Sequence, residues 1–400
     1  MMASLKLALV ADAFPPLRTS GAIQLHDLAC EMATQGHEVT VIVPSHKIRD
    51  SSQVQKSHGF RIIRLKALKT KNINHIRRTL HEFLMPYFMM YNLRRSILKN
   101  ERWDGVIWYS PSIFHGPLIK FLKQTSQCKS YLILRDIFPD WALEVGLIKK
   151  GPIYKLFAAV AAFQYSLADV IGIQSKGNLK YFKNILESDE SKVEILPNWL
   201  GNAVQSPCRI RLNDTILAGR TIFVYAGNMG VAQGMEILID LAYHFEHRQD
   251  LGFLFVGRGH EVKKLQEISG RRLLTNTLFY DEIEPAQMSD LYTRCHIGLI
   301  ALDPRHKSHN IPGKFLSYLQ AGLPVLANVN KGNDIAHLIR EHSVGQVCET
   351  NALNELVECV HVLVEQVSQD KQISDRCRLL FSKEYSVEKV TKQVVVGLGK

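Results

Sequence analysis

Lys314 is the residue whose position in this 400-residue chain most clearly suggests chemistry. It follows a short polar turn and stands in the first turn of a predicted helix, where Phe315, Leu316 and Leu319 recur at helical spacing. Gly322 ends that pattern as a helix cap. A helix N-terminus offers free N–H donors and partial positive charge, so a lysine there favours a phosphate ligand. An ordinary helix–strand unit without a ligand would give the same pattern.

A pair of charged residues, Arg135 and Asp136, directly follows the predicted strand Tyr131–Leu134 and is the second candidate for chemistry. A charged side chain at the end of a buried strand costs free energy unless it has a partner of opposite charge or contacts a ligand. A structural ion pair and a functional site both fit these residues. Arg258 also follows a predicted strand, in the run Phe255–Glu261.

The elements that position these residues begin with a βαβ unit. Strands at Leu5–Val10 and Val39–Val43, with the helix Ala22–Gln35 between them, predict a parallel sheet. The loop Phe14–Gly21 then lies at the carboxyl end of the first strand, where open α/β sheets bind ligands. The G-x-G-x-x-G fingerprint of dinucleotide-binding folds is absent from it.

The strand and helix pattern continues and then restarts. A polar, turn-rich stretch over residues 197–220 predicts an interdomain linker. A glycine-bearing loop, Ala226–Leu238, follows the first strand of the second half and resembles an anion-binding turn. The further predicted strands are Gly105–Tyr109, Ala168–Ser175, Val193–Leu196, Thr221–Tyr225, Asn276–Tyr280 and His296–Ala301.

Length and composition predict a two-domain α/β protein. The chain exceeds the usual limit of one hydrophobic core, and 46% hydrophobic with 22% charged residues is a globular composition. No run of about twenty uncharged apolar residues occurs, so no transmembrane helix is expected. The first residues are expected to form a strand rather than a signal peptide. Seven cysteines without C-x-x-C spacing are expected to be reduced thiols in the cytosol.

Residues 61–102 carry much of the net charge of +11. Basic side chains flank the apolar stretch Phe83–Leu93, which predicts an amphipathic segment on an anionic membrane surface. Pro86 is expected to divide this segment into two helices. A helix with a solvated basic face is the alternative, and nucleic acid is disfavoured because no binding motif accompanies the charge. The residues expected to face the membrane are Lys66, Lys69, Arg77, Arg78, Phe83, Tyr87, Phe88, Arg94 and Arg95.

Several blocks resemble the GT-B glycosyltransferases of family 4, in the subgroup that builds bacterial surface polysaccharides. Pro312, Gly313 and Lys314 stand where many members read proline–serine–lysine, and Gly322 and Pro324 fit their A-A-G-K-P-V block. The resemblance spans nearly the whole chain. Its other blocks are GHEV at residues 36–39, R-D-x-x-P-D at 135–140, A-D-x5-S at 168–175 and G-N-x-G-x-x-Q-G at 227–234.

The resemblance implies two Rossmann-like domains facing across a cleft. They are an acceptor-binding domain over residues 1–198 and a nucleotide-sugar-binding domain over 199–384, with a helix at 385–400 crossing back to the first. It implies a cytoplasmic enzyme, peripheral to the inner face of the membrane, that uses a UDP-sugar and retains the anomeric configuration. The implied acceptor is a glycan on undecaprenyl diphosphate, and the implied sugar an N-acetylated hexosamine or deoxyhexosamine such as N-acetylfucosamine. No D-x-D motif occurs, which fits a reaction without metal or cofactor.

On this hypothesis Lys314 and Arg258 neutralise the departing diphosphate, and Asp136 orients the acceptor hydroxyl. Backbone N–H groups of Gly21 and Gly230 are expected to assist. The residues expected to bind the donor are Arg18, Gly21, Asn228, Met229, Gly230, Gln233, Gly257, Tyr280, Asp281, Pro312, Gly313 and Ser317.

Several positions depart from the family pattern, and only Gly21 remains of the glycine pair that members usually have in the first loop. Asn228 and Gln233 stand where most members have an arginine and a lysine, and His309 and Ser317 stand where relatives have two glutamates in E-x7-E. His115 comes a few residues later than the active-site histidine of many members, so no acid/base group is assigned. Two alternatives stay open: a GT-B nucleotide-sugar epimerase, and a nucleotide- or lipid-binding scaffold without turnover.

Overall fold

The structure, a computed structural model, describes residues 4–17, 19–71, 73–144, 146–202, 206–303 and 311–399. The chain divides into two compact units, residues 1–201 with 387–400 and residues 202–386. Arg18, His309 and the polar turn before Ile311 lie outside the described residues. No helix in the described part of the chain combines the length and the apolar character needed to cross a bilayer.

The first unit is built on one sheet, whose central strands are buried on both faces as expected of continuous aliphatic runs. Its strands are β1 (Lys6–Val10), β2 (Glu38–Ser45), β3 (Ser52–Ser57), β4 (Phe60–Lys66), β5 (Gly105–Tyr109), β6 (Lys129–Leu134), β7 (Val170–Ile173) and β8 (Val193–Ile195). Their order is β3-β4-β2-β1-β5-β6-β7-β8, and only β3 runs antiparallel to its neighbour in the described sheet. The predicted βαβ unit is confirmed, because β1 pairs parallel with β2.

Helices cover both faces of this sheet. On one face α1 contributes Leu25, Leu28 and Met32 to the core, and on the other face α2 contributes Met85 and Met89. The helices are α1 (Ser20–Thr34), α2 (His75–Arg94), α3 (Gly116–Ser126), α4 (Asp140–Glu144), α5 (Pro152–Leu167) and α6 (Lys183–Ser188).

The expected break at Pro86 is wrong, since α2 runs through it as one helix. A proline inside a helix costs about 3 kcal/mol, because it removes one hydrogen bond and crowds the preceding turn. Met85, Met89 and Leu93 are buried on the same side of α2. Each such burial contributes about 1.5–3 kcal/mol, so together they outweigh the cost of the proline.

The second unit holds a parallel sheet in the order β11-β10-β9-β12-β13-β14. Its strands are β9 (Thr221–Asn228), β10 (Leu251–Arg258), β11 (Thr277–Tyr280), β12 (Ile297–Ala301), β13 (Val325–Asn328) and β14 (Gly345–Cys348). Its helices are α7 (Glu236–His244), α8 (Val262–Arg271), α9 (Pro285–Tyr292), α10 (Gly313–Ala321), α11 (Asp334–His342), α12 (Leu353–Gln369) and α13 (Ile373–Glu384).

The last helix, α14 (Val387–Gly397), belongs to the first unit. Val390 and Val394 lie in the same core cluster as Leu25 and Leu28 of α1. The N–H of Val387 donates to the carbonyl of Leu200 at 3.2 Å. The chain therefore leaves the first unit after residue 201 and returns to it at residue 387.

Candidate active site

In the second unit, β9 and β12 are neighbours in the sheet but separate towards their carboxyl ends. These strands pair only at Phe223 with Ile297 and Val224 with Gly298, whereas β9 and β10 pair along eight residues. Chain connections leave β9 in opposite directions on its two sides, which makes this a topological switch point. In open α/β sheets, ligands bind outside the carboxyl ends of the strands at such points.

Tyr318 of α10 occupies the gap between the two strands and is fully buried. Its hydroxyl lies 3.1 Å from the carbonyl oxygen of Val224 and 3.2 Å from that of Leu299, and it accepts the N–H of Ala226 at 3.2 Å. These backbone groups have no partner on the neighbouring strand, because β9 and β12 pair at only two residues each, so the tyrosine hydroxyl satisfies them instead. Gly298 makes room for the ring, because a Cβ there would lie 2.4 Å from it. Tyr318 thus fixes α10 against the sheet.

Lys314, one turn earlier on α10, is half-buried beside Tyr225 of β9. Its Nζ donates to the Tyr225 hydroxyl at 2.6 Å and lies 3.9 Å from the centroid of that ring. Burial lowers the pKa of Lys314 to about 7 and raises the pKa of Tyr225, so the phenol stays neutral. Within the described residues no carboxylate forms an ion pair with Lys314. An anionic ligand would supply the missing partner.

The loop after β9 is closed by its own amide side chains. Gln233 Oε1 accepts from the N–H of Gly230 at 3.0 Å and from Asn228 Nδ2 at 3.1 Å. The Gly230 N–H therefore already has an acceptor in this conformation, and its expected donation to a diphosphate stays a prediction. Asn228 and Gln233 thus hold the loop together through their own amide groups.

Met229 anchors the same loop. Its side chain is buried in the core, its N–H donates to the carbonyl of Arg258 at 2.7 Å, and its carbonyl accepts the N–H of Glu261 at 3.1 Å. Gly257 allows β9 and β10 to approach, since a Cβ at its φ of +151° would lie 1.9 Å from the carbonyl oxygen of Gly227. Met229 and Gly257 have clear structural roles, and their expected contact with a donor stays a prediction.

Arg258 ends β10 beside Asn228. Its side chain is 77% exposed, and Nε lies 3.3 Å from a carboxylate oxygen of Glu282. An exposed pair of this kind contributes little, about 0–1 kcal/mol, so the guanidinium can change partner at small cost. Tyr280 and Asp281 lie at the adjoining strand end, where Tyr280 is half-buried and Asp281 is exposed.

The start of α10 is built by Pro312 and Gly313. Pro312 occupies the N-cap position and accepts the N–H of Phe315 at 3.0 Å, and Gly313 is exposed. Ser317 Oγ donates to the Gly313 carbonyl at 3.4 Å. This hydroxyl is therefore already engaged within its own helix, which makes it a weak substitute for a glutamate.

In the first unit the comparable switch point lies between β1 and β5, where connections again leave in opposite directions. Gly21 is in the first turn of α1, and its missing Cβ would lie 2.9 Å from the hydroxyl of Tyr109 at the end of β5. Asp136 follows β6 and is exposed. The surrounding protein raises the pKa of Asp136, and Arg135 opposes that shift. Because its side chain is exposed, the Asp136 carboxylate is available to a ligand.

Arg135, in contrast, is a structural residue. Its Nη1 donates to the carbonyl of Leu196 at 2.6 Å and its Nη2 to that of Pro197 at 3.1 Å, and the guanidinium lies 4.9 Å from the ring centroid of Trp199. Burial lowers the pKa of Arg135 to about 10, so it remains charged at neutral pH. Of the two alternatives for the Arg135–Asp136 pair, Arg135 serves the fold and Asp136 remains a candidate for function.

Two further titratable groups lie near these strand ends. His115, just before α3, is fully buried with its pKa lowered to about 4, and neither ring nitrogen has a hydrogen-bond partner among the described residues. Asp12 follows β1, half-buried, and burial raises its pKa. Sequence reasoning missed Asp12, although an acidic residue directly after a buried strand is the signal that identified Asp136.

The comparisons with known proteins agree with this architecture. Residues 220–366 match the family described as glycosyl transferases group 1. The probable glycosyltransferase WbjE of Pseudomonas aeruginosa is 25% identical over 241 residues, which are 58% of this chain and 59% of that protein. The putative colanic acid biosynthesis glycosyl transferase WcaI of Escherichia coli K12 is 25% identical over 349 residues, 80% of each chain. The chain thus spans less than two thirds of WbjE and most of WcaI.

Among solved structures, Anabaena Alr3699/HepE in complex with UDP superposes with a TM-score of 0.66 at 14% identity, covering 98% of this chain and 99% of that one. The predicted GT-B fold is confirmed by this likeness and by the two parallel-sheet units. The family match lies entirely within the second unit, the one that holds Lys314. Together these matches support a glycosyltransferase as the class of enzyme.

Proposed function

We propose that the chain is a retaining transferase of family 4 that moves a sugar from a UDP-sugar to a lipid-linked saccharide during synthesis of a bacterial surface polysaccharide. The proposed sugar is an N-acetylated hexosamine or deoxyhexosamine such as N-acetylfucosamine, and the proposed lipid is undecaprenyl diphosphate. The names of WbjE and WcaI support the class of reaction, and the UDP complex of the Anabaena protein supports the nucleotide.

The observation that carries the proposal is the environment of Lys314. The half-buried ammonium stands at the switch point of the sheet, at the beginning of a helix, and no carboxylate of the described residues pairs with it. That is the arrangement needed to bind a diphosphate and to stabilise the charge that develops on it when the glycosidic bond breaks. Arg258 is the second cation at this edge, and its weak surface pair leaves it available.

In the proposed reaction, the bond between the anomeric carbon and the β-phosphate oxygen breaks, and Lys314 and Arg258 neutralise the departing UDP. The acceptor hydroxyl oxygen forms the new bond on the same face of the sugar. Its proton passes to the departing phosphate oxygen. Asp136 orients the acceptor hydroxyl by accepting a hydrogen bond from it. Gly21 allows the backbone at the start of α1 to approach the ligand closely.

A thermal-shift panel with UDP, GDP, ADP, dTDP, CMP and NAD tests the nucleotide. A ligand that binds the native state raises the melting temperature, so a shift confined to UDP is expected. Lys314→Ala should abolish that shift and lower transfer from UDP-N-acetylhexosamines more than tenfold. Lys263→Ala, an exposed lysine on α8, is the matched control and should change neither. Transfer within threefold of wild type in Lys314→Ala would contradict the assignment, and nucleotide binding without transfer would favour the scaffold.

We also propose that the first unit binds an anionic membrane surface through α2 and α5. Along α2, Phe83, Tyr87 and Phe88 are 46%, 47% and 39% exposed. Phe83 packs on Phe114 with ring centroids 6.1 Å apart, and Phe114 packs on Phe157 of α5 at 6.4 Å. The neighbouring basic residues expected to face the membrane, Lys66, Lys69, Arg77, Arg78, Arg94 and Arg95, are exposed as well.

The contribution of α5 did not follow from the sequence analysis. Its Ile153 and Leu156 are 64% and 61% exposed, beside exposed Lys155. Exposed apolar groups next to basic ones are what an interfacial surface requires. Arg94 and Arg95 are partly held by aromatic neighbours, since Arg94 lies 4.7 Å from the ring centroid of Phe121 and Arg95 donates to the Tyr91 hydroxyl at 2.7 Å.

Cosedimentation with vesicles tests this surface. Vesicles containing phosphatidylglycerol should bind the protein, and vesicles of phosphatidylcholine alone should bind it several-fold less. The double variant Tyr87→Ser with Phe88→Ser should reduce binding about 30-fold or more, because each buried aromatic side chain contributes more than 1 kcal/mol and about 1.4 kcal/mol is a factor of ten. Val396→Ser, an exposed apolar residue on α14, is the control. Equal loss of binding in the control would contradict the proposed surface.

A further inference from the structure

Three metal-ligating side chains meet in the first unit, among residues that the proposed transfer reaction does not use. His26 and Cys30 lie one turn apart on α1, and His58 lies in the turn between β3 and β4. One ligand atom of each residue lies within 4.8 Å of the ligand atoms of the other two. His26 and Cys30 are half-buried, and His58 is exposed.

The helical pair is close to the separation that a bound ion requires. Cys30 Sγ lies 3.7 Å from His26 Nδ1 and 3.8 Å from His26 Nε2. Residues four apart share one face of a helix, so both side chains can reach one point. A tetrahedral zinc ion bonds sulfur at about 2.3 Å and nitrogen at about 2.0–2.1 Å, which places these ligand atoms about 3.5 Å apart.

His58 supplies the third side chain from a tight hairpin turn. His58 and Gly59 have φ values of +45° and +82°, and the flanking residues Ser57 and Phe60 pair across the two strands. A two-residue turn with both φ values positive favours Asn or Asp before glycine and also accommodates histidine, so the turn geometry alone does not account for the choice of histidine. The imidazole instead lies towards α1, with its centroid 5.2 Å from that of His26.

The surroundings suit a cation. Asp27 Oδ1 lies 3.8 Å from His26 Nδ1, so a carboxylate stands next to the cluster. His26 also packs against the rings of Phe14 and Phe60, at centroid distances of 6.0 Å and 5.9 Å. Aromatic packing alone explains one imidazole there, but it gives no reason for a thiol and a second imidazole facing the first.

We propose that His26, Cys30 and His58 bind one Zn²⁺ ion, with water as the fourth ligand. One thiolate and two imidazoles form a donor set that selects zinc over Mg²⁺ and Ca²⁺, which prefer oxygen ligands. The ion would tie the β3–β4 hairpin to α1 and stabilise the first unit. Binding is separate from sugar transfer, which we propose to proceed without metal.

Cobalt substitution of the full chain tests the site directly. Co²⁺ added to the reduced, metal-free protein should give one equivalent of binding, a thiolate-to-cobalt charge-transfer band and tetrahedral d–d bands. Zinc should displace the cobalt stoichiometrically and raise the melting temperature. His26→Ala, Cys30→Ser and His58→Asn should each weaken zinc binding about 100-fold or more, because each removes one of three protein ligands.

His58→Asn separates metal binding from folding. It creates the Asn-Gly sequence that the turn favours, so the metal-free variant should melt no lower than metal-free wild type while losing the cobalt bands. Cys128→Ser removes another half-buried free thiol of the first unit and should leave the bands intact. The proposal is overturned if wild type gives no charge-transfer band, if the band survives Cys30→Ser, or if His58→Asn binds zinc as tightly as wild type.

Discussion

The lowered pKa of Lys314 predicts that donor binding weakens as the pH rises above neutrality. With a pKa of about 7, the lysine is protonated below that pH and mostly neutral above it. A bound diphosphate favours the charged form and raises the pKa, so binding is coupled to proton uptake. Affinity is therefore greatest below pH 7 and falls about tenfold per pH unit well above it, until the pKa of the bound state is reached.

The magnitude follows from the fraction of the free protein that is protonated. That fraction is about 0.9 at pH 6.0 and about 0.03 at pH 8.5 for a pKa of about 7. If only the charged form binds the diphosphate, the apparent Kd rises about 30-fold across this range. At pH 8.0 about 0.9 proton should be taken up per donor bound.

Isothermal titration calorimetry with UDP-N-acetylglucosamine, repeated in buffers of different ionisation enthalpy, measures both quantities. This donor is preferable to UDP, whose terminal phosphate also changes charge near neutral pH. Lys314→Arg keeps a permanent positive charge and should give a nearly flat profile. A flat profile in wild type, or a steep one that persists in Lys314→Arg, would refute the assignment of the titrating group to Lys314.

Three further predictions concern stability, measured by urea unfolding followed by circular dichroism. Gly298→Ala should destabilise the second unit by about 1–3 kcal/mol, because the new methyl group would overlap the buried ring of Tyr318. Its control is Gly270→Ala on α8, where the methyl group enters open space and should not lower the free energy of unfolding. Arg135→Lys should destabilise the first unit by about 2–4 kcal/mol, because a lysine cannot donate to both carbonyls and stack on the Trp199 indole at the same time. Asp136→Asn, at the neighbouring residue, should lower turnover without lowering the free energy of unfolding. Pro86→Ala should stabilise α2 by up to about 3 kcal/mol, and no gain in stability would argue against a continuous helix.

The parts of the fold that the sequence predicted are those with a strong local cause. Continuous β-branched runs such as VTVIV mark buried parallel strands, and Gly322 marks the end of α10 because its φ of +81° favours glycine. Lys314 was found by the same logic, from its place at a helix start. These signals lie within a few residues of the feature that they predict.

The features that were missed depend on distant contacts. The strand β3 reads SQVQKS, which carries no hydrophobic signal, and it exists because its backbone pairs with β4 at the edge of the sheet. The continuity of α2 through Pro86 depends on burial against the sheet. The cluster of His26, Cys30 and His58 needs the hairpin to lie against α1, and only the H-x3-C spacing within the helix was visible in the sequence.

The amide pair in the loop after β9 changes how the anion site must work. An arginine and a lysine in this loop, as the family resemblance would imply, would share the charge of a diphosphate with other cations. Here Asn228 and Gln233 satisfy each other and the Gly230 N–H, so the loop contributes shape rather than charge. The positive charge must then come from Arg258 and Lys314, and only part of the Lys314 population is charged near neutral pH because its pKa is about 7. Donor affinity should therefore depend on the protonation of the half-buried Lys314 more steeply than in an enzyme whose loop supplies further permanently charged side chains.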